Sequence, residues 1–390
     1  MSQKLFNLSP DLKRLREEGY YVEKIGGFLV MREVPYVDSQ KRVRLGALIS
    51  SLCLAGDITT KPDNHQLHFA GDFPCHADGS LIKLGRQACN ITVADLIAKH
   101  KFSSKPINGY TDYYHKMSTY ANLLSGPAAT IDPKVTAKVF RSPEPEEESI
   151  FQYTETASDR VGIGELSKLL AGDRIAIIGL GGTGGYILDA VAKTPAREIR
   201  LFDGDTFLQH NAFRAPGAPS LEEIREVISK VEYFKRIYSR MHKGIVAHNC
   251  MMGAEAIHLL DGVTFAFLSM DAGEAKRLVV KKLESIGASF VDVGMGLELV
   301  DGSLGGILRT TTSTPKKREH VHSGRISFAG GGEEDIYASN IQVADLNALN
   351  AMLAVNKWKR IRGFYRDLEC EHHSTYTTDG NMLLNGDQLQ

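Results

Sequence analysis

The residues with the most legible chemistry lie between Arg174 and Arg214. The apolar run Ile175-Ala-Ile-Ile178 leads into Gly179-x-Gly181-x-x-Gly184, with further glycines at Gly182 and Gly185. Such a turn suits phosphate. Glycine lets the backbone turn tightly and approach an anion closely, and the helix that follows offers unpaired N–H groups at its N-terminus. Asp203 closes the next apolar run, Ile199-Arg-Leu-Phe202, where a carboxylate can accept hydrogen bonds from ribose hydroxyls. Alone, these features fit a nicotinamide-dependent dehydrogenase as well as an ATP enzyme. The string Asp203-Gly-Asp205-Thr-Phe-Leu-Gln-His-Asn211-Ala-Phe-Arg214 favours the second. Hydride transfer has no use for an asparagine and an arginine there, whereas a guanidinium presents a fixed fork of donors to phosphate oxygens.

The elements that must position these residues follow from pattern. Strand, glycine turn, helix and second strand make a βαβ unit. Beyond it the sequence predicts a helix from Leu221 to Met241 carrying Lys230, a strand at Ile245–Asn249, and a buried strand Val263–Asp271 leading into a helix, Gly273–Ile286. Asp271 then stands at the carboxyl edge of a parallel sheet, where α/β enzymes bind ligands, although aspartate is also a common helix N-cap. Strands follow at Ser289–Gly296 and Leu304–Thr314, then a helix over 339–363 with Leu346, Leu349 and Leu353 as its core-facing stripe, and a closing hairpin after Ser374. The fold class is α/β, a Rossmann-like domain with a mainly parallel sheet over 158–390, preceded by a separate α+β domain over 1–141 and an acidic, proline-containing linker, 142–157.

In the N-terminal part, Ser9, Pro10 and Gly19 read as cap, first turn and stop of a helix. The runs Tyr20–Met31, Arg42–Leu54 and Gln66–Ala70 read as strands. Cys75 beside His76 invites a nucleophile-and-base reading, but neighbours in an extended segment point to opposite faces, so a structural thiol is the simpler account.

Composition narrows the function classes. A formal net charge of −1 leaves no electrostatic footprint for nucleic acid or an anionic membrane. No apolar run reaches membrane-spanning length. The five cysteines, Cys53, Cys75, Cys89, Cys250 and Cys370, are scattered and odd in number, which argues against a disulfide framework and for a reducing cytoplasm.

From Asp203 to Arg214 the chain resembles, position for position, the Asp-x-Asp…Asn-x-x-Arg signature of the E1-like adenylyltransferases, the ThiF/MoeB family that activates ubiquitin-like proteins. The resemblance spans roughly Asp159 to Phe364 and implies adenylation of a protein C-terminal carboxylate with ATP and Mg2+. It implies that Gly179, Gly181, Gly182 and Gly184 seat the nucleotide with Asp203 and Asp205, that Asn211, Arg214 and Lys230 meet the phosphates, and that Asp271 holds magnesium. Arg160 matches a family arginine that reaches the ATP of a partner subunit, so a homodimer is implied as well. The implied partner is a ubiquitin-like protein with a glycine-ended tail, for conjugation or for sulfur-carrier activation. The large N-terminal domain favours conjugation.

The sequence also departs from that family. Thr314-Pro315 is followed by Lys316 where thioester-forming members carry a cysteine, and the paired zinc cysteines of many relatives are missing. Three routes stay open: direct transfer from the adenylate, an oxygen nucleophile among Thr310–Thr314 with His320 or His322 as base, or Cys370 folding back. The Asp78–Leu84 run is faintly similar to the strand bearing the cysteine of E2 conjugating enzymes but contains none, which suggests a degenerate E2-like or partner-docking module and an E2-like protein among the partners. A nicotinamide oxidoreductase and a non-catalytic scaffold are the remaining alternatives.

Overall fold

A computed structural model describes residues 2–141, 149–153, 164–328 and 341–389, and in it the chain packs as two units, Met1–Glu165 and Leu166–Gln390. Arg160 and most of the 142–157 segment lie outside the described residues.

In the first unit the apolar run from Tyr20 is broken at Gly26, whose φ of 55° makes a turn, so one expected strand becomes a hairpin of β1 (Val22–Ile25) and β2 (Phe28–Val37). Further strands are β3 (Val43–Ser51), the short pair β4 (Leu54–Ala55) and β5 (Ile58–Thr59), β6 (Gln66–Ala70), β7 (Gly85–Val93) and β8 (Leu96–Ser103). The main sheet is antiparallel in the order β1-β2-β3-β6-β8-β7. Helices α1 (Ser2–Leu8), α2 (Pro10–Glu17) and α3 (Tyr113–Ile131) accompany it. Tyr113, Met117, Tyr120 and Leu124, spaced to share one helix face, join Leu48, Phe69 and Phe102 in its core.

The second unit is organised by β9 (Arg174–Ile178), buried on both faces. Its neighbours β10 (Glu198–Phe202), β11 (Ile245–His248), β12 (Phe265–Leu268) and β13 (Ser289–Val300) run parallel to it in the order β11-β10-β9-β12-β13. The sheet continues antiparallel through β14 (Ser303–Ser313), β15 (His373–Thr377) and β16 (Met382–Gly386). Ile175 and Ile177 share a core with α4 (Gly182–Val191), α5 (Lys230–Tyr238) and α7 (Ala344–Ile361), whereas Ala176 and Ile178 meet the face carried by α6 (Glu274–Ser285). This is the doubly wound, mainly parallel α/β architecture the pattern calls for, with a separate α+β unit before it.

Two helices differ from expectation. The helix predicted over 221–241 breaks after Arg225, because Val227 takes a φ of 51° and Ser229 caps a new start at Lys230. On α7 the leucine stripe is only half-buried. The face turned inward is Asn347, Asn350, Ala351, Ala354, Val355 and Trp358, the small residues allowing α7 to lie close to glycine-rich α4.

Asp173, just before β9, ties this unit together. Its carboxylate accepts from Trp358 Nε1 at 2.8 Å, from Arg362 Nε and Nη2 at 2.8 Å each, and from Thr264 Oγ1 at 2.7 Å. Asp173→Ala leaves an indole N–H and a partly buried guanidinium without their acceptor, at an expected cost of about 3 kcal/mol. Trp358 is the chain's single tryptophan, so urea unfolding followed by its fluorescence reads this unit alone. A loss under about 1 kcal/mol would mean that the latch contributes nothing beyond an exposed ion pair.

Candidate functional site

The crevice opens where the strand order reverses, between the carboxyl ends of β9 and β12. Gly179 has a φ of 89°, and a Cβ there would lie 2.4 Å from Ser269 O, so only glycine fits. Ser269 Oγ donates to Gly179 O at 2.7 Å, fastening the two strand ends together. A Cβ at Gly184 would lie 1.9 Å from Gly179 O, and one at Gly182 would run into the Asn347 amide. Gly181, the cap of α4, is different. Its φ of −67° suits any residue, and a Cβ there would meet nothing within 4 Å. Three glycines are therefore fixed by packing, and the fourth faces open space at a helix N-terminus.

Beside this turn lie the acidic residues. Asp203 Oδ2 accepts from Leu180 N at 2.6 Å and Oδ1 from Asp205 N at 2.9 Å, so this carboxylate pins the glycine turn and keeps lone pairs to spare. Lys230, buried, donates to Asp205 Oδ2 at 2.6 Å and lies 3.6 Å from Asp203 Oδ1. Asn211 is buried with its side-chain oxygen accepting Leu208 N at 2.8 Å. Arg214 follows one turn later, and its Nε is buried without a protein partner among the described residues, an orphaned donor that an anion would satisfy.

The turn also borders a cavity of about 220 Å3. Gly181, Gly182 and Thr183 form one wall, Ser269 to Ala272 another, and Asn347 and Asn350 of α7 a third. Asp271 lies three residues past β12 and is exposed, while Gly273 rather than Asp271 caps α6. Sequence reasoning missed the polar group behind it. Asp292, fully buried on β13, sits 2.8 Å from Lys276 Nζ and 2.6 Å from Arg309 Nη2, and both cations line the cavity. Asn347 Oδ1 accepts Thr183 Oγ1 at 2.9 Å, and Asn350 Nδ2 donates to Gly294 O at 3.1 Å. The two asparagines could have been found, since they occupy positions i and i+3 of the one face of α7 that continues as Ala351, Ala354, Val355 and Trp358.

Asp203, Asp205, Asn211, Arg214 and Lys230 do not line this cavity; Asp203, Asp205 and Lys230 are joined to one another and, through Leu180 N, to the glycine turn, while Arg214 O lies 3.5 Å from Asn347 Nδ2 at the cavity's edge. The Thr310–Thr314 run is elsewhere again. It closes β14, with Thr314 just past the strand, and the histidines at its hydroxyls are not His320 or His322: Thr314 Oγ1 lies 3.1 Å from His372 Nε2, and Thr311 Oγ1 lies 3.1 Å from His373 Nδ1. His320 instead bonds Thr312 O, and His322 meets Glu284. Thr314 and His372 are both buried, and burial pushes His372 down and His373 down to about 4, so both rings are neutral framework groups. Cys370 has its thiol 3.7 Å from Asp367 O and does not line the cavity. In the first unit Cys75 is buried while His76 is exposed, and burial pushes the Cys75 thiol up, the signature of an inert cysteine.

ATP and magnesium can be tested against this donor set. A helix N-terminus with Gly181 open, an orphaned Arg214 Nε and a nearby lysine suit a polyphosphate. Asp271 is an exposed carboxylate with no donor on it among the described residues, and magnesium is commonly held by one or two carboxylates together with substrate phosphates.

Sheet order and glycine turn define the second unit as a Rossmann-like α/β domain with its crevice at the topological switch point. A family model described as a domain of unknown function (DUF6791) matches residues 10–156. Among curated proteins nothing matches. Among solved structures the chain is similar to PaaA, at 14% identity and a TM-score of 0.45, covering 60% of this chain and 78% of that one. It is also similar to E. coli MccB with ATP, at 15% identity and a TM-score of 0.45, covering 57% of this chain and 66% of MccB. A further structure is the microcin C7 biosynthetic enzyme MccB in complex with N-formylated MccA, at 17% identity, a TM-score of 0.45, and coverage of 57% and 67%. Nothing about this chain's activity follows from likeness at that level. No helix among the described residues is long and apolar enough to cross a membrane.

The glycine geometry makes a paired prediction. Gly184→Ala is expected to lower stability by about 2–3 kcal/mol, since its methyl must displace backbone, whereas Gly181→Ala changes it by less than about 0.5 kcal/mol. Urea titrations followed at Trp358 measure both, and equal losses would contradict the division of roles.

Proposed function

We propose that the second unit is an ATP-dependent adenylyltransferase that activates the C-terminal carboxylate of a peptide or protein, and that its natural acyl donor is a ubiquitin-like protein with a glycine-ended tail. The observation that carries the reading is the meeting, in one crevice, of an open helix N-terminus at Gly181 with the exposed carboxylate of Asp271.

In this reading the turn from Gly179 to Gly185 seats the nucleotide, and Asp203 takes the ribose. Asn211, Arg214 and Lys230 receive the β- and γ-phosphates, with Asp205 orienting Lys230. Magnesium held by Asp271 would neutralise phosphate charge as pyrophosphate departs. A carboxylate oxygen of the acyl donor attacks the α-phosphorus, the bond to the β-phosphate oxygen breaks, and acyl-adenylate and pyrophosphate form without net proton transfer. Alignment and charge neutralisation dominate such a step, so no dedicated base is required.

We assign Arg160 to the nucleotide of a second copy, which makes the working form a homodimer. The first unit serves as a partner-docking or degenerate E2-like module, receiving an E2-like protein or the acyl donor. With the Thr314–His372 pair buried and Cys370 away from the cavity, direct transfer from the adenylate is the favoured route. Sulfur-carrier activation shares the same first step and remains the second reading.

ATP–pyrophosphate exchange tests the proposal. With a glycine-ended ubiquitin-like protein as acyl donor, wild type is expected to exchange label and Asp271→Ala to lose about 100-fold or more. Undiminished exchange in the variant would remove Asp271 from the chemistry, and tight nicotinamide binding without exchange would move the site to hydride transfer.

A further inference from the structure

The lining of the cavity includes two buried side chains, one from α6 and one from α7, that the roles above leave unused. Lys276, in the first turn of α6, is 4% exposed, and its ammonium reaches Asp292 Oδ1 at 2.8 Å while lining the same cavity as Gly181, Gly182 and Asp271. Asp292 has its second cation in Arg309, and Arg309 is occupied by the framework: Nη2 meets Asp292, while Nη1 donates to Thr311 Oγ1 at 2.7 Å and Arg325 O at 2.8 Å. Lys276 is the freer cation. An ammonium carries three N–H donors, and Lys276 is held here by an ion pair to Asp292 Oδ1, an oxygen that accepts no hydrogen bond among the described residues.

Asn350 supplies the complementary group. It is 1% exposed, and its Nδ2 donates to Gly294 O, which fixes the orientation of the amide and leaves Oδ1 as an acceptor. That oxygen is buried and has no partner among the described residues, and Asn350 is one of the residues that line the cavity. Buried acceptors are nearly always satisfied, so an unpartnered one on a residue that lines a cavity invites a donor from that cavity.

We propose that Lys276 and Asn350 together receive the last residue of the acyl donor, Lys276 holding the attacking carboxylate and Asn350 Oδ1 accepting that residue's own peptide N–H. The inference rests on the adenylation reading and names the acyl half of its site. A carboxylate entering between Asp271 and Asp292 needs a cation, or like charge expels it. In a C-terminal residue the carboxylate and the peptide N–H flank one Cα, whereas an aspartate or glutamate side chain sets its carboxylate one or two carbons further from that N–H. The pair therefore selects a free C-terminus over an aspartate or glutamate side chain. As the α-phosphorus bond forms, one carboxylate oxygen joins phosphorus and the other stays on Lys276, so no proton need move.

The test separates this inference from the adenylation reading by using two ligands on the full chain. One is 5′-O-sulfamoyladenosine, which mimics the adenylate alone. The other is its N-acetylglycyl derivative, a non-hydrolysable acyl-adenylate carrying the carbonyl and the peptide N–H. By calorimetry, wild type is expected to bind the acyl compound about 30-fold more tightly, the gain of two hydrogen bonds of which one is charge-assisted. Lys276→Gln and Asn350→Leu each reduce that preference about fivefold or more while changing sulfamoyladenosine affinity less than about threefold, and Lys276→Arg restores most of it. Should Lys276→Gln fail to fold without its ion pair to Asp292, Asn350→Leu carries the test. Equal binding of the two ligands by wild type, or an acyl preference that survives both variants, overturns the inference with the adenylation reading intact. Binding of neither ligand overturns both.

Discussion

The crevice depends on one close approach, the backbone contact between Gly179 and Ser269 at the ends of β9 and β12. These two strands are paired up to Ile178 and Leu268, and the connections that leave them run to opposite halves of the sheet, which opens the crevice just beyond the pair. A side chain at 179 or 184 would force them apart, and the Ser269 hydroxyl bonded to Gly179 O closes the join. Everything around the site is measured from that contact. It sets the start of α4, the position of Asp203 under Leu180, and the distance from the glycine turn to Asp271.

Around that fixed point the charges form two groups. Asp203, Asp205 and Lys230 form one, and Asp292, Lys276 and Arg309 the other; the buried carboxylates are Asp203 and Asp292, each with a lysine near it, and Asp205 is exposed. Each group pairs its own charges, so neither buries an isolated ion. In both, a lysine pairs with its carboxylate and still has donors left. A substrate anion can therefore be added at either group without first breaking an existing pair.

Much of this could be read in the sequence because backbone demands leave strong marks. The apolar run before Gly179 gives a strand buried on both faces, and glycines at 179, 182 and 184 are where a Cβ cannot fit. Asp203 directly follows β10 as the pattern indicates, whereas β12 ends at Leu268, three residues short of Asp271. What stayed hidden depends on long-range pairing. Nothing local tells Lys276 that Asp292 lies behind it, or that Arg309, after a hairpin, supplies the second cation. The leucines of α7 misled for a related reason: the helix packs on glycines, which favour small residues at the contact, so its larger side chains turn half outward. The threonine run was legible as a strand, but its partners, His372 and His373, come from β15 and the turn before it, which only the sheet brings near.

The central claim is that a carboxylate of the substrate attacks the α-phosphorus of ATP, and isotope transfer tests it most directly. A glycine-ended ubiquitin-like protein labelled with 18O in its terminal carboxylate is incubated with the enzyme, ATP and an amine acceptor, and the nucleotide product is examined by mass spectrometry. The account predicts AMP carrying one 18O, delivered when the acceptor breaks the acyl–oxygen bond of the adenylate. Unlabelled AMP, or ADP with the label in inorganic phosphate, would contradict it.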